Sequence, residues 1–167
     1  MTLEELKVKA CCFTGHREIP SLVRHALKKR TEDTVRSLAQ KGIVYFIVGG
    51  ALGFDTLAAK VVLRLKETEL PHLRLLLAIP CEGQDKSWSE ADRRIYAEIK
   101  SRADAVTVLS DSYYRGCMQV RNHYMVDHAS VCVCYLTKES GGTVGTVRYA
   151  EKKGLTVINL AETLLPR

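Results

Sequence analysis

Six short apolar runs punctuate this chain of 167 residues: VKACCF (8–13), IVYFIV (43–48), LRLLLAI (73–79), AVTVL (105–109), VCVCYL (131–136) and TVINL (156–160). The stretches between them are longer and polar and carry helical periodicity, with helices expected within 20–41, 55–70, 87–102 and 118–128 and again from about 142 onward. Near-continuous apolar strands imply a sheet covered on both faces. Strands alternating with helices imply parallel pairing through right-handed crossovers. The expected fold is therefore α/β, a three-layer, Rossmann-like, doubly wound and mostly parallel sheet of about six strands, in a single domain over 1–167. No repeat, low-complexity stretch or linker interrupts the pattern.

In such a fold every strand-to-helix loop opens at the carboxyl edge of the sheet, where ligands bind. Those loops are TGHREIP (14–20), GGALGFD (49–55), PCEGQDKSW (80–88), SDSYYRGC (110–117) and TKESGGT (137–143). Two of them concentrate glycine. Gly141, Gly142 and Gly145 crowd the start of an expected helix, where a glycine costs about 1 kcal/mol relative to alanine. The compensating use is a close approach of backbone to phosphate at a helix N-terminus, with Thr143 and Thr146 adding hydroxyl groups. Gly49, Gly50 and Gly53 repeat the device after the second strand. There Asp55 or Thr56 would cap the next helix, or Asp55 would hold a ribose. Neither loop is a P-loop, and no G-x-G-x-x-G with a following acid is present, which speaks against a nicotinamide dehydrogenase.

Three further stretches supply side chains. In TGHR, Arg17 suits a forked contact to phosphate and His16 suits binding or proton transfer. In QVRNHYMVDHAS (119–130), Asn122, Met125, Val126 and Ala129 share the helical spacing of a core face, and Arg121 falls in the first turn. A cation there opposes the helix dipole, so an anion between Arg121 and the glycine loops, or a salt bridge, would account for it. Trp88, the single tryptophan, would stack on a base or pack over its loop; Tyr113 and Tyr114 are similarly placed.

The formal charge of +6 suggests anionic partners, and its excess is local: Arg24, Lys28, Lys29, Arg30, Arg36 and Lys41 fall on one expected helix, as a solvated face or a nucleic-acid surface. The six cysteines form no C-x-x-C pair and read as reduced, apolar core residues. No metal-ligand cluster is visible. The N-terminal MTLEELKVKACCF places acids before a short apolar run, the reverse of a signal peptide, and no stretch is long enough to span a membrane. A cytoplasmic protein is the expectation.

The motifs GHR after the first strand, GGALGFDTLAA after the second, then Gln84 and Trp88, then RNHYMVD and GGTVGTVRYA, resemble those of the YpsA-like family of the SLOG superfamily, over roughly residues 8–160. That superfamily includes the DprA and LOG (Lonely Guy) proteins. The resemblance implies a nucleotide or nucleotide-derived ligand, of the ADP-ribose kind, in the glycine loops. Gly15, His16, Arg17, Gly49, Gly50, Gly53, Asp55, Trp88, Arg121, Asn122, Gly141, Gly142 and Thr143 are the ligand-binding candidates. It names no cofactor, and it makes a homodimer plausible.

LOG-type enzymes hydrolyse the N-glycosidic bond of nucleoside monophosphates with an arginine, matched by Arg121, and a glutamate after a P-G-G-x-G-T loop. Here Asn122 stands for the lysine beside that arginine, Ser140 for the proline, and Val144-Gly145-Thr146-Val147 has no acid; Glu151 lies two turns on. Such turnover would leave Asp55, Glu82 and Arg121 as candidate catalytic residues. DprA-type proteins bind single-stranded DNA, and Gly15–Arg17 and Gly49–Asp55 resemble two of their motifs. A nucleotide-binding sensor or regulator is the leading expectation, with a nucleotide hydrolase or a nucleic-acid binder as alternatives.

Overall fold

The structure is a computed structural model that describes residues 2–163. Six strands, β1 (Ala10–Gly15), β2 (Tyr45–Val48), β3 (Arg74–Ile79), β4 (Ala105–Val108), β5 (Val131–Tyr135) and β6 (Thr156–Asn159), form one sheet in the order β4-β3-β2-β1-β5-β6. Every neighbouring pair is parallel, with Cys12 opposite Ile47 on one side and Cys132 on the other. Helices α2 (Ser21–Gln40), α3 (Phe54–Thr68), α4 (Glu90–Arg102), α5 (Cys117–Asp127) and α6 (Gly142–Lys152) provide the crossovers. This is the doubly wound fold expected from the alternation. A short α1 (Leu3–Val8) precedes β1, held by a capping box between Thr2 and Glu5. Val8, read as the start of the first strand, ends that helix instead.

Strand pleating divides the core in two. Phe13, Phe46, Leu75, Leu77 and Val133 point to the layer of α2, α3 and α4, and pack with Leu27, Val61 and Tyr96. Cys12, Ile47, Ala78 and Cys132 point the other way, to Met125 and Val126 of α5 and Ala150 of α6. All six cysteines are free and buried, and Cys11, Cys12 and Cys132 belong to these layers. The expectation of a sheet covered on both faces fails at β4. All four of its residues are exposed, because it is an edge strand lying beyond the helices on either face.

No helix among the described residues is long and apolar enough to cross a membrane. The order of the strands reverses at β1, which lies between β2 and β5. The loops leaving β1 and β5 therefore diverge to opposite faces, and a crevice opens between them.

Candidate functional site

A cleft of about 280 Å³ sits at that switch point. The end of β1 and its loop supply Thr14, Gly15, His16 and Arg17; the loop after β2 supplies Ala51 and Asp55. Helix α5 contributes Met118, Arg121, Asn122 and Met125, and α6 contributes Gly142 and Thr143. The four α5 residues share one helix face, at spacings of three and four, so their common orientation follows from the helical repeat. A second hollow of about 360 Å³ continues the cleft between α5 and α6, over Gly141, Gly142, Gly145, Gln119 and His123.

The cleft walls are helix starts without side-chain caps. Helices α3, α5 and α6 begin behind Gly53, Gly116 and Gly141, each at positive φ, and none has a side-chain cap. Helix α4, away from the cleft, is capped by the Ser89 hydroxyl, which accepts from the Asp92 N–H, and carries Glu90 and Asp92 in its first turn. Asp55 and Thr56 do not cap α3, because the turn places them inside the helix. Asp55 reaches back to accept from the Ala51 N–H at 3.3 Å, and the Thr56 hydroxyl donates to the Ala51 carbonyl at 3.0 Å.

Arg121 is 4% exposed and lies in the second turn of α5, not the first. Its Nη1 donates to the Gly49 and Ala78 carbonyls and to Gln84 Oε1, and its Nε donates to Asn122 Oδ1. Gln84 in turn donates from Nε2 to the Gly49 carbonyl and Tyr96 Oη. All these partners are neutral. Asp55 attracts Arg121 electrostatically, but the two form no ion pair within 4 Å among the described residues. Burial raises the Asp55 carboxyl above its ordinary 3.8, with Arg121 and the Ala51 and Gly49 N–H groups opposing it. A guanidinium keeps its charge. The cleft thus holds a buried cation and a buried acid on facing walls.

The glycines separate into two kinds. A Cβ on Gly15 would meet Phe54 at 2.5 Å, and one on Gly49 would meet the Arg121 guanidinium at 2.6 Å. One on Gly53 would strike the backbone of Arg17 and His16. These three make room for contacts within the protein. Gly142 and Gly145 differ: a Cβ there meets nothing within 4 Å, and neither has positive φ. Packing gives no reason for glycine at either position.

One ring nitrogen of His16 is engaged within the protein. Its Nε2 accepts the Thr137 N–H at 2.9 Å, and its ring stands edge-on to Tyr135, tying the β1 loop to the β5 loop. Burial and the neighbouring Lys138 lower its pKa below the usual 6.5. A lowered folded value means that stability from this group is full above 6.5 and is lost as pH falls through the folded value. His16→Gln, which keeps an acceptor that does not titrate, should flatten the acid limb of stability below pH 6.5. Denaturation curves across that range check this, and parallel curves for the two proteins would remove His16 as the titrating group.

Trp88 lies outside the cleft, half-buried and edge-on to Tyr96 with ring centroids 5.3 Å apart, so it packs over its loop. Glu82, Tyr113 and Tyr114 are exposed and line neither the cleft nor its continuation. Asn122, expected on the core face beside Met125, is half-buried and borders the cleft. Gly50, at φ 71, faces Tyr96 and Gln84. Sequence reasoning missed Gln84 and Tyr96 as supports of Arg121, since a glutamine in a polar loop carries no local sign of burial. It also missed Met118, which the i, i+3 spacing to Arg121 would have revealed.

The family model YpsA, described as the YspA SLOG family, matches residues 11–157. A UPF0398 protein from Shouchella clausii is 34% identical over 71% of this chain, and the match spans 64% of its own length. The SPbeta prophage-derived protein YoqJ of Bacillus subtilis is 31% identical over 75% of this chain and 81% of its own. Among solved structures, DNA processing protein A from Helicobacter pylori superposes with a TM-score of 0.65 at 20% identity, over 93% of this chain and 66% of that one. DprA from Streptococcus pneumoniae gives 0.64 at 17% identity, over 93% and 50%.

Proposed function

This chain belongs to the YpsA family of SLOG proteins, and on that premise we propose that its cleft binds the phosphate-bearing end of a nucleotide or nucleotide-derived ligand of the ADP-ribose kind, as a sensor or regulator. The observation that carries the reading is Arg121, a buried cation with neutral hydrogen-bond partners at the mouth of uncapped helix starts. Phosphate between Arg121, Arg17 and the first N–H groups of α6 would neutralise that cation and occupy those donors. Asp55, on the facing wall, would accept from ribose hydroxyls. The face of α6 left bare by Gly142 and Gly145 would let the ligand lie against the helix backbone.

Binding without turnover fits these groups better than hydrolysis. The first turn of α6 carries no acidic residue. Among the described residues Asp55 is the one carboxylate lining the cleft, and one of its oxygens is held by the Ala51 N–H.

A thermal-shift series with AMP, GMP, ADP-ribose, NAD and a short single-stranded oligonucleotide tests this. A ligand at a hundred times its Kd stabilises by about 2.7 kcal/mol, a rise in Tm of about 5–10 °C for a domain of this size. One of the small ligands is expected to give such a rise. If none does at millimolar concentration, the cleft is not a nucleotide site.

A further inference from the structure

A larger hollow, about 490 Å³, lies between α2 and α3 beside the cleft. Arg24 and Lys28 reach it from α2, and Lys60 and Arg64 from α3; Arg17 lines both this groove and the cleft. Asp92 is the one carboxylate among the described lining residues, and Leu57, Val61 and Ile95 contribute apolar surface. Five cations around one hollow, all on exposed residues, give it a positive potential that favours an anion.

Several cations elsewhere on the surface have acidic partners. Arg36 pairs with Asp33 and Glu69, Lys66 with Asp104, Arg94 with Glu90, and Arg102 with Glu67 and Glu98. In the groove, Arg64 meets Glu32 at 3.6 Å, whereas Arg17, Arg24, Lys28 and Lys60 have no salt bridge among the described residues. The charge in the groove is thus largely unpaired. Its arrangement is two rows, residues 24 and 28 on one helix and 60 and 64 on the next. An i, i+4 pair sets neighbouring side chains about 5–6 Å apart, close to the separation of successive phosphates along an extended strand.

We propose that the α2–α3 groove is a second anion site, joined to the cleft through Arg17, and that the two together take a phosphodiester-linked chain of two or more nucleotides. The groove's cations hold phosphates, and its apolar residues give the sugars and bases a surface. The inference rests on the cleft reading only for the end of the ligand that passes Arg17.

The test compares AMP with a fluorescent single-stranded octanucleotide, on wild type and on Lys28→Gln/Lys60→Gln, whose changes are both at exposed positions. The octanucleotide is expected to bind wild type at least about tenfold more tightly than AMP and with a steeper salt dependence. The double variant should lose about tenfold for the octanucleotide and flatten its log–log salt slope by about 1.4, while binding AMP as wild type does. Equal affinities for the two ligands in wild type, or an octanucleotide that ignores the double substitution, overturns the proposal. So does polyglutamate competing as well as the octanucleotide, which would make the groove a docking place for acidic protein. If AMP fails to bind while the octanucleotide responds to the substitutions, the groove stands and the cleft reading falls.

Discussion

Arg121→Met is expected to unfold about 3 kcal/mol more easily than wild type, a fall in Tm of about 10 °C for a chain of this size. Methionine fills much of the space but donates nothing. The Ala78 carbonyl and Gln84 Oε1 lose a donor, the Gly49 carbonyl keeps only its long bond from Gln84, and Asp55 stays buried without its nearest countercharge. The same substitution removes the cation expected to meet phosphate, so its effect on binding is inseparable from its effect on the fold. Arg121→Lys sharpens the test. It keeps the charge but lacks the planar fork that serves the Gly49 and Ala78 carbonyls on one side and Asn122 on the other, and should recover only part of the loss. Urea denaturation of the three proteins measures this. A methionine variant as stable as wild type would mean that the buried hydrogen bonds around Arg121 do not hold the ends of β2 and β3 together.

Gly142→Val should do the opposite: abolish binding, by about a hundredfold or more, and leave the fold intact. The new Cβ meets no neighbouring atom within 4 Å, and the side chain grows from it into space shared by the cleft and its continuation. No positive φ is given up, and glycine is replaced at a helix start, so stability should stay within about 0.5 kcal/mol of wild type. The pair of measurements, Tm without ligand and Kd by titration calorimetry, separates a blocked site from a damaged protein. Undiminished affinity in this variant would show that the ligand does not lie against the start of α6, and would move the site toward Arg17.

The order of strands and helices was legible because each strand is a short apolar run and each helix a periodic one. What the pattern could not convey was context beyond the run itself. AVTVL reads as a buried strand, yet β4 lies at the sheet edge and exposes every residue. The glycine loops were found, but glycine has no side chain to advertise its reason. Only the neighbours show that Gly15, Gly49 and Gly53 make room for Phe54, Arg121 and backbone, while Gly142 and Gly145 make room for nothing in the protein. Arg121 was identified from its place at the sheet's carboxyl edge. Its carbonyl partners were invisible, since the residues that supply them lie 72 and 43 positions away. Asp55 or Thr56 was expected to cap α3, with a ribose contact as the alternative for Asp55; the cap position falls at Gly53, two residues before Asp55, and the carboxylate folds back on the loop.

The distribution of thiols gives the molecule a built-in clock. Cys11, Cys12, Cys132 and Cys134 lie on β1 and β5, two adjacent interior strands of the sheet, whereas Cys81 and Cys117 lie together at its carboxyl edge, close enough to Arg121 for its charge to act on Cys81. An alkylating reagent reaches a buried sulfur only while the structure around it is open. The central four therefore report how often the whole sheet comes apart, and the edge pair how often the rim of the cleft breathes. Two rates of fluctuation are written into the native sequence, readable by mass spectrometry without attaching any label beforehand.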